Sequence, residues 1–228
     1  MNLRALIFDV DGTLAETEEA HRAAFNETFS SWGLGWHWNR PDYTRLLKTT
    51  GGKERIRAFQ KGLPAGDRLG EDDIARLHRE KTARYGEILA SGGLVLRPGV
   101  AELIRTARNA GLKIAVATTT NAPNVEALCQ CCWGQSAARI FDEIAAGDMV
   151  EAKKPAPDVF DLALEKLGLP ADACLAFEDS RNGLLSARGA GLQVVVTPSA
   201  YTVDEDFSEA TYLIATLERD NLPGPLRF

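Results

Sequence analysis

The chain lacks any apolar run approaching the ~18 residues of a membrane-spanning helix, so no span is expected. Basic residues are in deficit, with 26 Lys and Arg against 32 Asp and Glu. The resulting net charge of −6 argues against nucleic acid or an anionic membrane as partner, while leaving room for a local basic pocket that takes a small anion. Histidine is scarce. The four cysteines are disposed as Cys129-Gln130-Cys131-Cys132 and a distant Cys174, without a second ligand pair or a nearby histidine for zinc. Reduced thiols in a cytoplasmic protein are therefore expected, in preference to a metal site or a disulfide. The short apolar stretch near the N-terminus runs straight into Asp9 and Asp11 with no cleavage-like segment after it, so no secretory signal is expected. Repeats and low-complexity stretches are absent from the sequence. With 228 residues, 45% of them hydrophobic, the chain can bury one sizeable core, or a core and a smaller domain.

What the sequence does contain is organised around Leu6-Ile7-Phe8-Asp9-Val10-Asp11-Gly12-Thr13, an apolar run ending in two carboxylates one residue apart. Residues i and i+2 of a strand face the same side, so a strand over Arg4–Val10 is expected to present Asp9 and Asp11 together at its end, where open α/β sheets bind ligands. Two such carboxylates repel each other unless a cation lies between them or one has a raised pKa. A hard ion such as Mg²⁺ suits oxygen donors and usually arrives with phosphate. Asp-Gly also signals a type I′ hairpin turn, but a second strand must then follow. Instead comes Ala15-Glu16-Thr17-Glu18-Glu19-Ala20-His21-Arg22-Ala23-Ala24-Phe25, rich in helix formers and without alternation.

Helices are predicted from Glu16 to about Ser31, from about Gly52 towards Gly62, and from Glu71 to about Leu89. Trp36-His37-Trp38 and Pro41-Asp42-Tyr43 read as an irregular connection and Pro64–Gly70 as loop. From Leu94 the character changes. Strands predicted over Lys113–Thr118, Asp142–Ala146, Ala173–Phe177 and Gln193–Thr197, with a weak one near Tyr212–Ile214, alternate with helices Val100–Ala110, Pro123–Cys132, Asp158–Leu167 and Gly183–Ala190. The tail at Pro223-Gly224-Pro225 is expected to be loose. Alternating strands and helices imply an α/β fold: a doubly wound, Rossmann-like parallel sheet covered on both faces. Residues 1–15 and 92–228 would form this core, with 16–91 a helical cap inserted after strand 1.

Further polar residues stand at strand ends. Thr118-Thr119-Thr120-Asn121 offers hydroxyls and helix-start N–H groups suited to an anion. Lys153-Lys154-Pro155 can neutralise phosphoryl oxygens, and Glu178-Asp179 can complete a metal shell. Each alone is weak: helix caps and solvated charges have the same composition. The ordered set resembles the haloacid dehalogenase superfamily of phosphatases and phosphomutases over the whole chain. That resemblance implies Asp9 as nucleophile, Asp11 as general acid and base, Thr118 as phosphate ligand, Lys154, directly before Pro155, as the neutralising lysine, and Mg²⁺ held by Asp9, Asp11, Glu178 and Asp179.

Within the superfamily, Ala15-Glu16-Thr17-Glu18-Glu19, Thr49-Thr50-Gly51-Gly52-Lys53-Glu54-Arg55-Ile56, His78-Arg79-Glu80-Lys81 and Ala146-Gly147-Asp148-Met149 resemble the CbbY group, xylulose-1,5-bisphosphate phosphatases that act beside Rubisco in carbon fixation. The resemblance implies an enzyme whose partner is a small sugar bisphosphate, and a monomer is expected. Its pocket would be drawn from Glu18, His21, Tyr43, Gly51, Gly52, Lys53, His78, Arg79, Lys81, Thr119, Thr120 and Asn121. Lys53 and Lys81 would grip the second phosphate, although a solvated helix face is the ordinary role of either alone. Glu18 and Tyr43 would read a sugar hydroxyl. Mutase relatives tend to have Ser-x-Lys where Thr120 and Asn121 stand here, which favours hydrolysis over mutase chemistry. Asp11 is expected to be protonated at neutral pH, its pKa raised by anionic Asp9 and substrate. A receiver-type signalling domain uses similar groups but places its acidic pair and acceptor on different strands and has no use for a helical insertion.

Overall fold

A computed structural model describes residues 2–227. Six strands, β1 (Ala5–Phe8), β2 (Lys113–Ala117), β3 (Glu143–Ala145), β4 (Cys174–Glu178), β5 (Gln193–Val196) and β6 (Tyr212–Leu213), form one wholly parallel sheet in the order β3-β2-β1-β4-β5-β6. β1 reads as a continuous apolar run because it is central and covered on both faces. Leu6 and Phe8, with Ile114, Val116, Leu175 and Phe177, pack against α5 (Val100–Asn109) and α6 (Ala122–Trp133). Ala5 and Ile7, with Ala115, Ala117 and Ala176, pack against α8 (Asp158–Leu167) and α9 (Arg181–Gly189). A four-residue helix, α7 (Ala137–Ile140), precedes β3. Phe8 stacks on Phe177 with centroids 4.4 Å apart. At ~1.5–3 kcal/mol for each large side chain removed from water, these two layers hold the sheet together.

Between β1 and α5 run four helices, α1 (Glu18–Ser31), α2 (Arg40–Leu47), α3 (Gly52–Gln60) and α4 (Glu71–Ala90). They enclose an apolar cluster of their own, Phe25, Phe29, Trp38, Tyr43, Leu46, Ile56, Ile74 and Leu77. Ala24, Tyr85 and Leu89 instead join the main core beside Val125 and Leu128 of α6, which seats the insertion on the sheet domain. Arg97 pins the returning linker: its guanidinium donates to the Gly12, Thr197 and Pro198 carbonyls, and its Nε lies 3.4 Å from Glu16 on the outgoing linker.

Three expectations need correction. The stretch around Pro41-Asp42-Tyr43 is helical, not irregular. Asn39 caps α2 by accepting from Asp42 N at 2.8 Å, and Pro41 occupies the first turn, where its missing N–H breaks no helical bond. The tail around Pro223-Gly224-Pro225 is packed, because Leu222 and Leu226 are buried in the main core. β1 also ends at Phe8 rather than continuing to Val10, which redirects Asp11 as described below. All four thiols are free, Cys129 and Cys174 buried and Cys131 and Cys132 half-buried. No helix among the described residues is long and apolar enough to cross a membrane.

Candidate active site

The order of strands reverses on either side of β1, and the chain leaving its C-terminal end enters a polar cavity of about 280 Å³ roofed by the helical insertion. The Asp9 N–H continues the ladder by donating to Phe177 O at 2.9 Å, whereas Thr13 and Leu14 donate back to Val10 O. This turn ends the alternation of the strand, so Asp9 and Asp11 point to different partners.

Asp9 faces Lys154, whose Nζ donates to Asp9 Oδ1 (2.6 Å), Glu178 Oε1 (2.5 Å) and Ala117 O (2.9 Å). Burial works against the Lys154 charge, but Asp9 and Glu178 together hold its pKa above the usual lysine value. Asp9, Glu178 and Asp179 bring carboxylate oxygens within 4.8 Å of one another, all buried. Burial, followed for Asp179 by the charges of Asp9 and Glu178, raises the carboxyls of Asp9 and Asp179 well above their ordinary values, and burial also raises Glu178. Among the described residues Lys154 is the one cation that bridges Asp9 and Glu178, and the Asp179 carboxylate meets the hydroxyls of Ser199 and Thr202. Three buried oxygen donors with one ammonium fit a hard divalent cation. The Asp11 carboxylate, expected in this set, lies outside it because of the turn at Val10.

Asp11 is instead bonded to the first helix of the insertion. Thr17 Oγ1 donates to Asp11 Oδ1 at 2.6 Å, a use of the hydroxyl that leaves the N-terminus of α1 without a side-chain cap. His21 Nε2 lies 3.0 Å from the same oxygen, and Lys81 Nζ lies 2.6 Å from His21 Nδ1. An ionised carboxylate only accepts, so Nε2 carries the proton and Nδ1 accepts from the ammonium, giving the chain Lys81→His21→Asp11. Burial would raise the Asp11 pKa, but His21 on its Oδ1 and the Thr17 hydroxyl outweigh it and bring Asp11 down to about 2. This reverses the expected raised value. Burial, then Arg55, lower Lys81 to about 7, against the pull of Asp11 and Glu18.

Of the other expected residues, Glu18, His21, Gly51, Gly52, Lys53, His78, Lys81, Thr119, Thr120 and Asn121 line the cavity. Gly51 adopts φ 94°, and a Cβ at Gly52 would collide with the His78 imidazole, so the Gly-Gly pair lets the α3 N-terminus close against α4. Burial, with Lys81 and Lys53, pushes His78 down to about 3. Three residues stand elsewhere. Tyr43 is buried behind the wall and orients it, its hydroxyl donating to Glu18 Oε2 (3.0 Å) and accepting from Arg55 Nη1 (2.9 Å). Thr118 is buried beneath the floor, where its hydroxyl accepts from Thr120 N at 3.2 Å. Arg79 is exposed outside the cavity, because His78 and Lys81 share one face of α4 and Arg79 is turned some 100° from His78. Sequence reasoning missed Thr17, Arg55, Ser180, Asn182 and Tyr201. Arg55 was legible as the second cation of Lys53-Glu54-Arg55; the others depend on contacts between distant segments.

A divalent cation is expected to raise the melting temperature. Tenfold excess over Kd stabilises by ~1.4 kcal/mol, or ~3–6 °C for a chain of this size. A carboxyl whose native pKa is raised favours folding below its unfolded value and loses that contribution as pH rises through the native value. A cation must displace the protons these carboxyls hold, so the cation increment should be larger at pH 8 than at pH 5. Asp179→Asn should melt no lower than wild type without cation and gain less from it. Equal increments in both proteins, measured by differential scanning fluorimetry with and without EDTA, would remove Asp179 from the cation site.

Comparison with known proteins gives a consistent result. The family model described as haloacid dehalogenase-like hydrolase matches residues 3–191. The chain is 58% identical over 217 residues to Protein CbbY of Rhodobacter capsulatus, covering 95% of each chain. The crystal structure of CbbY from Rhodobacter sphaeroides in complex with phosphate is 52% identical and superposes with a TM-score of 0.91, covering 94% of this chain and 95% of that one. A mutant of the same protein, solved in complex with xylulose-(1,5)bisphosphate, gives the same identity, coverage and TM-score.

Proposed function

This chain belongs to the haloacid dehalogenase-like hydrolases and is a phosphatase of CbbY type, and we propose that it is a Mg²⁺-dependent sugar bisphosphate phosphatase whose preferred substrate is xylulose-1,5-bisphosphate, cleaved to xylulose 5-phosphate and phosphate. The observation that carries the substrate class is a cavity with cationic groups on both of its walls. Lys154 and the starts of α6 and α9 line it from the sheet domain and Lys53 and Arg55 line it from the insertion, whereas Lys81, also expected at the second phosphate, is engaged through His21 with Asp11. The relative solved with xylulose-(1,5)bisphosphate supports the choice of sugar. We read residues 16–91 as the cap and 1–15 with 92–228 as the core. A cytoplasmic setting suits four free thiols.

In the proposed reaction an Asp9 carboxylate oxygen attacks phosphorus in line, the bond from phosphorus to the sugar oxygen breaks, and Asp11 gives that oxygen a proton. Asp11 must first acquire the proton, and the Lys81→His21 chain ending on its Oδ1 is placed to deliver it. Water then attacks the aspartyl phosphate while ionised Asp11 takes up its proton, releasing phosphate and regenerating Asp9. Lys154 neutralises charge throughout. Mg²⁺ held by Asp9, Glu178 and Asp179 would supply further neutralisation of the phosphoryl oxygens. The Asn121 side chain is engaged in capping Asn124 N (3.1 Å) and reaching Thr82 (3.4 Å), so no cation stands at that position to hold a reoriented bisphosphate, which favours hydrolysis over mutase chemistry.

A charge-assisted contact is worth ~1.5–3 kcal/mol, so Lys53→Ala should lower kcat/KM for the bisphosphate by roughly ten- to a hundredfold. Part of the loss should fall on kcat, since binding at the remote end positions the reacting end. Turnover of a simple monophosphate should change little. Equal losses on both substrates would show that Lys53 does not grip a second phosphate.

A further inference from the structure

The turn between β4 and α9 carries Glu178 and Asp179 and is closed by Ser180, whose Oγ accepts from Gly183 N at 3.2 Å. A Cβ at Gly183 would collide with the Glu178 carboxylate, so the first turn of α9 is packed directly on the acidic cluster. Asn182 stands in that turn, and its side-chain amide crosses to the insertion. Nδ2 donates to Thr50 Oγ1 at 3.0 Å and to Lys48 O at 3.3 Å. Lys48 and Thr50 belong to the link between α2 and α3, which runs on through Gly51 and Gly52 to Lys53 and Arg55. Among the described residues no other side chain hydrogen-bonds to residues 48–51, and Gly51 gives the link little stiffness of its own. Other ties across the cavity reach the insertion outside the link: Asp11 to Thr17 and His21, Tyr201 to Glu19 and, through its ring, to Arg40 and Tyr43 of α2, and Asn121 to Thr82 of α4.

We propose that Asn182 is a positioning residue that fixes the α2–α3 link, and with it Lys53 and Arg55, relative to the phosphoryl-transfer centre, so that the two ends of the substrate are held at one separation. The proposal rests on the bisphosphate reading for its catalytic consequence, because only a substrate with a second charged end feels the position of the link. Its structural content is independent of that reading: an amide on a rigid turn holds a glycine-containing segment that no other side chain among the described residues hydrogen-bonds. Thr50 is the matching half of the contact.

Asn182→Ala, the near-isosteric and uncharged Asn182→Leu that lacks the N–H donors, Thr50→Val and the double variant Asn182→Ala/Thr50→Val separate this role from simple support of the fold. Amide hydrogen exchange over residues 48–53 should quicken by about fivefold or more in both Asn182 variants, with the sheet strands unchanged. Loss of the two hydrogen bonds loosens the link without removing a substrate contact and should lower kcat/KM for xylulose-1,5-bisphosphate by roughly five- to twentyfold, while p-nitrophenyl phosphate stays within about twofold. The double variant should be no worse than Asn182→Ala, since the contact removed by Thr50→Val is one of the two already removed with Asn182. Unchanged exchange in the Asn182 variants, additive losses in the double variant, or parallel losses on p-nitrophenyl phosphate would overturn the proposal, the last by assigning Asn182 to support of the acidic cluster. A wild-type enzyme inactive on the bisphosphate would sink the substrate reading instead, and the exchange measurement would then decide the role of Asn182 by itself.

Discussion

Asp9→Asn is expected to give a folded protein whose phosphatase activity is reduced by at least ~10⁴-fold, the scale seen when a covalent nucleophile is removed. The substitution keeps the shape of the side chain and an oxygen that can accept from Lys154 Nζ, so the local geometry has no reason to collapse. It also removes one charge from a buried group of three carboxylates, each already pushed towards its protonated form, so the melting temperature should be equal to or above that of wild type without cation. Acid quenching during turnover should trap a protein-bound acyl phosphate in wild type and none in the variant. Near-normal turnover by Asp9→Asn would leave the covalent route without a nucleophile.

Asp11→Asn should fail differently. Its amide oxygen can still accept from Thr17 Oγ1 and His21 Nε2, so the link to α1 is retained while the acid and base function is lost. General acid–base catalysis is worth ~10²–10⁴-fold, and the loss should track the leaving group. With p-nitrophenyl phosphate, whose phenolate needs little protonation, attack by Asp9 should persist and hydrolysis of the aspartyl phosphate should become limiting. The expected signature is a burst of about one equivalent of nitrophenolate followed by slow turnover, whereas a sugar phosphate with its poor alkoxide leaving group shows no burst. A linear time course at wild-type rate would show that another group handles the proton. In the proposed relay the proton supplied to Asp11 comes from Lys81 through His21, which joins the two. Lys81→Met should therefore depress turnover of alkyl phosphates more than that of p-nitrophenyl phosphate.

The parallel sheet was legible because each core strand is a compact apolar run bounded by glycine or a polar strand end, and Ile114 to Ala117 and Val194 to Val196 have no other economical home than a sheet covered on both faces. The candidate site was legible for the same reason: doubly wound topology gathers strand ends, so polar residues after β1, β2 and β4 had to converge. The divergence of Asp9 and Asp11 was not legible. It depends on β1 ending at Phe8 and the chain turning at Val10, one residue earlier than the alternation required, and apolar Val10 gives no sign of that. α2 was obscured by Pro41, which breaks a helix in its interior but is accepted in its first turn once Asn39 caps it. Thr17, Asn182 and Tyr201 act across long separations in the chain, on partners that local pattern cannot supply. The position of Arg79 turned on which of two neighbouring residues of α4 faces inward, decided by packing of the insertion rather than by composition.

The central claim is that this phosphatase recognises a substrate by two phosphates and the sugar between them. It is tested most directly by kcat/KM of the Mg²⁺-loaded wild-type enzyme on xylulose-1,5-bisphosphate, ribulose-1,5-bisphosphate, β-glucose 1-phosphate and 2-phosphoglycolate. The two pentulose bisphosphates differ only at C3, and polar groups lining the cavity, such as the half-buried Glu18 carboxylate oriented by Tyr43, can discriminate between hydroxyl configurations. The account predicts xylulose-1,5-bisphosphate as the best substrate, ribulose-1,5-bisphosphate much slower, and both monophosphates poor. A monophosphate turned over faster than either bisphosphate would contradict it.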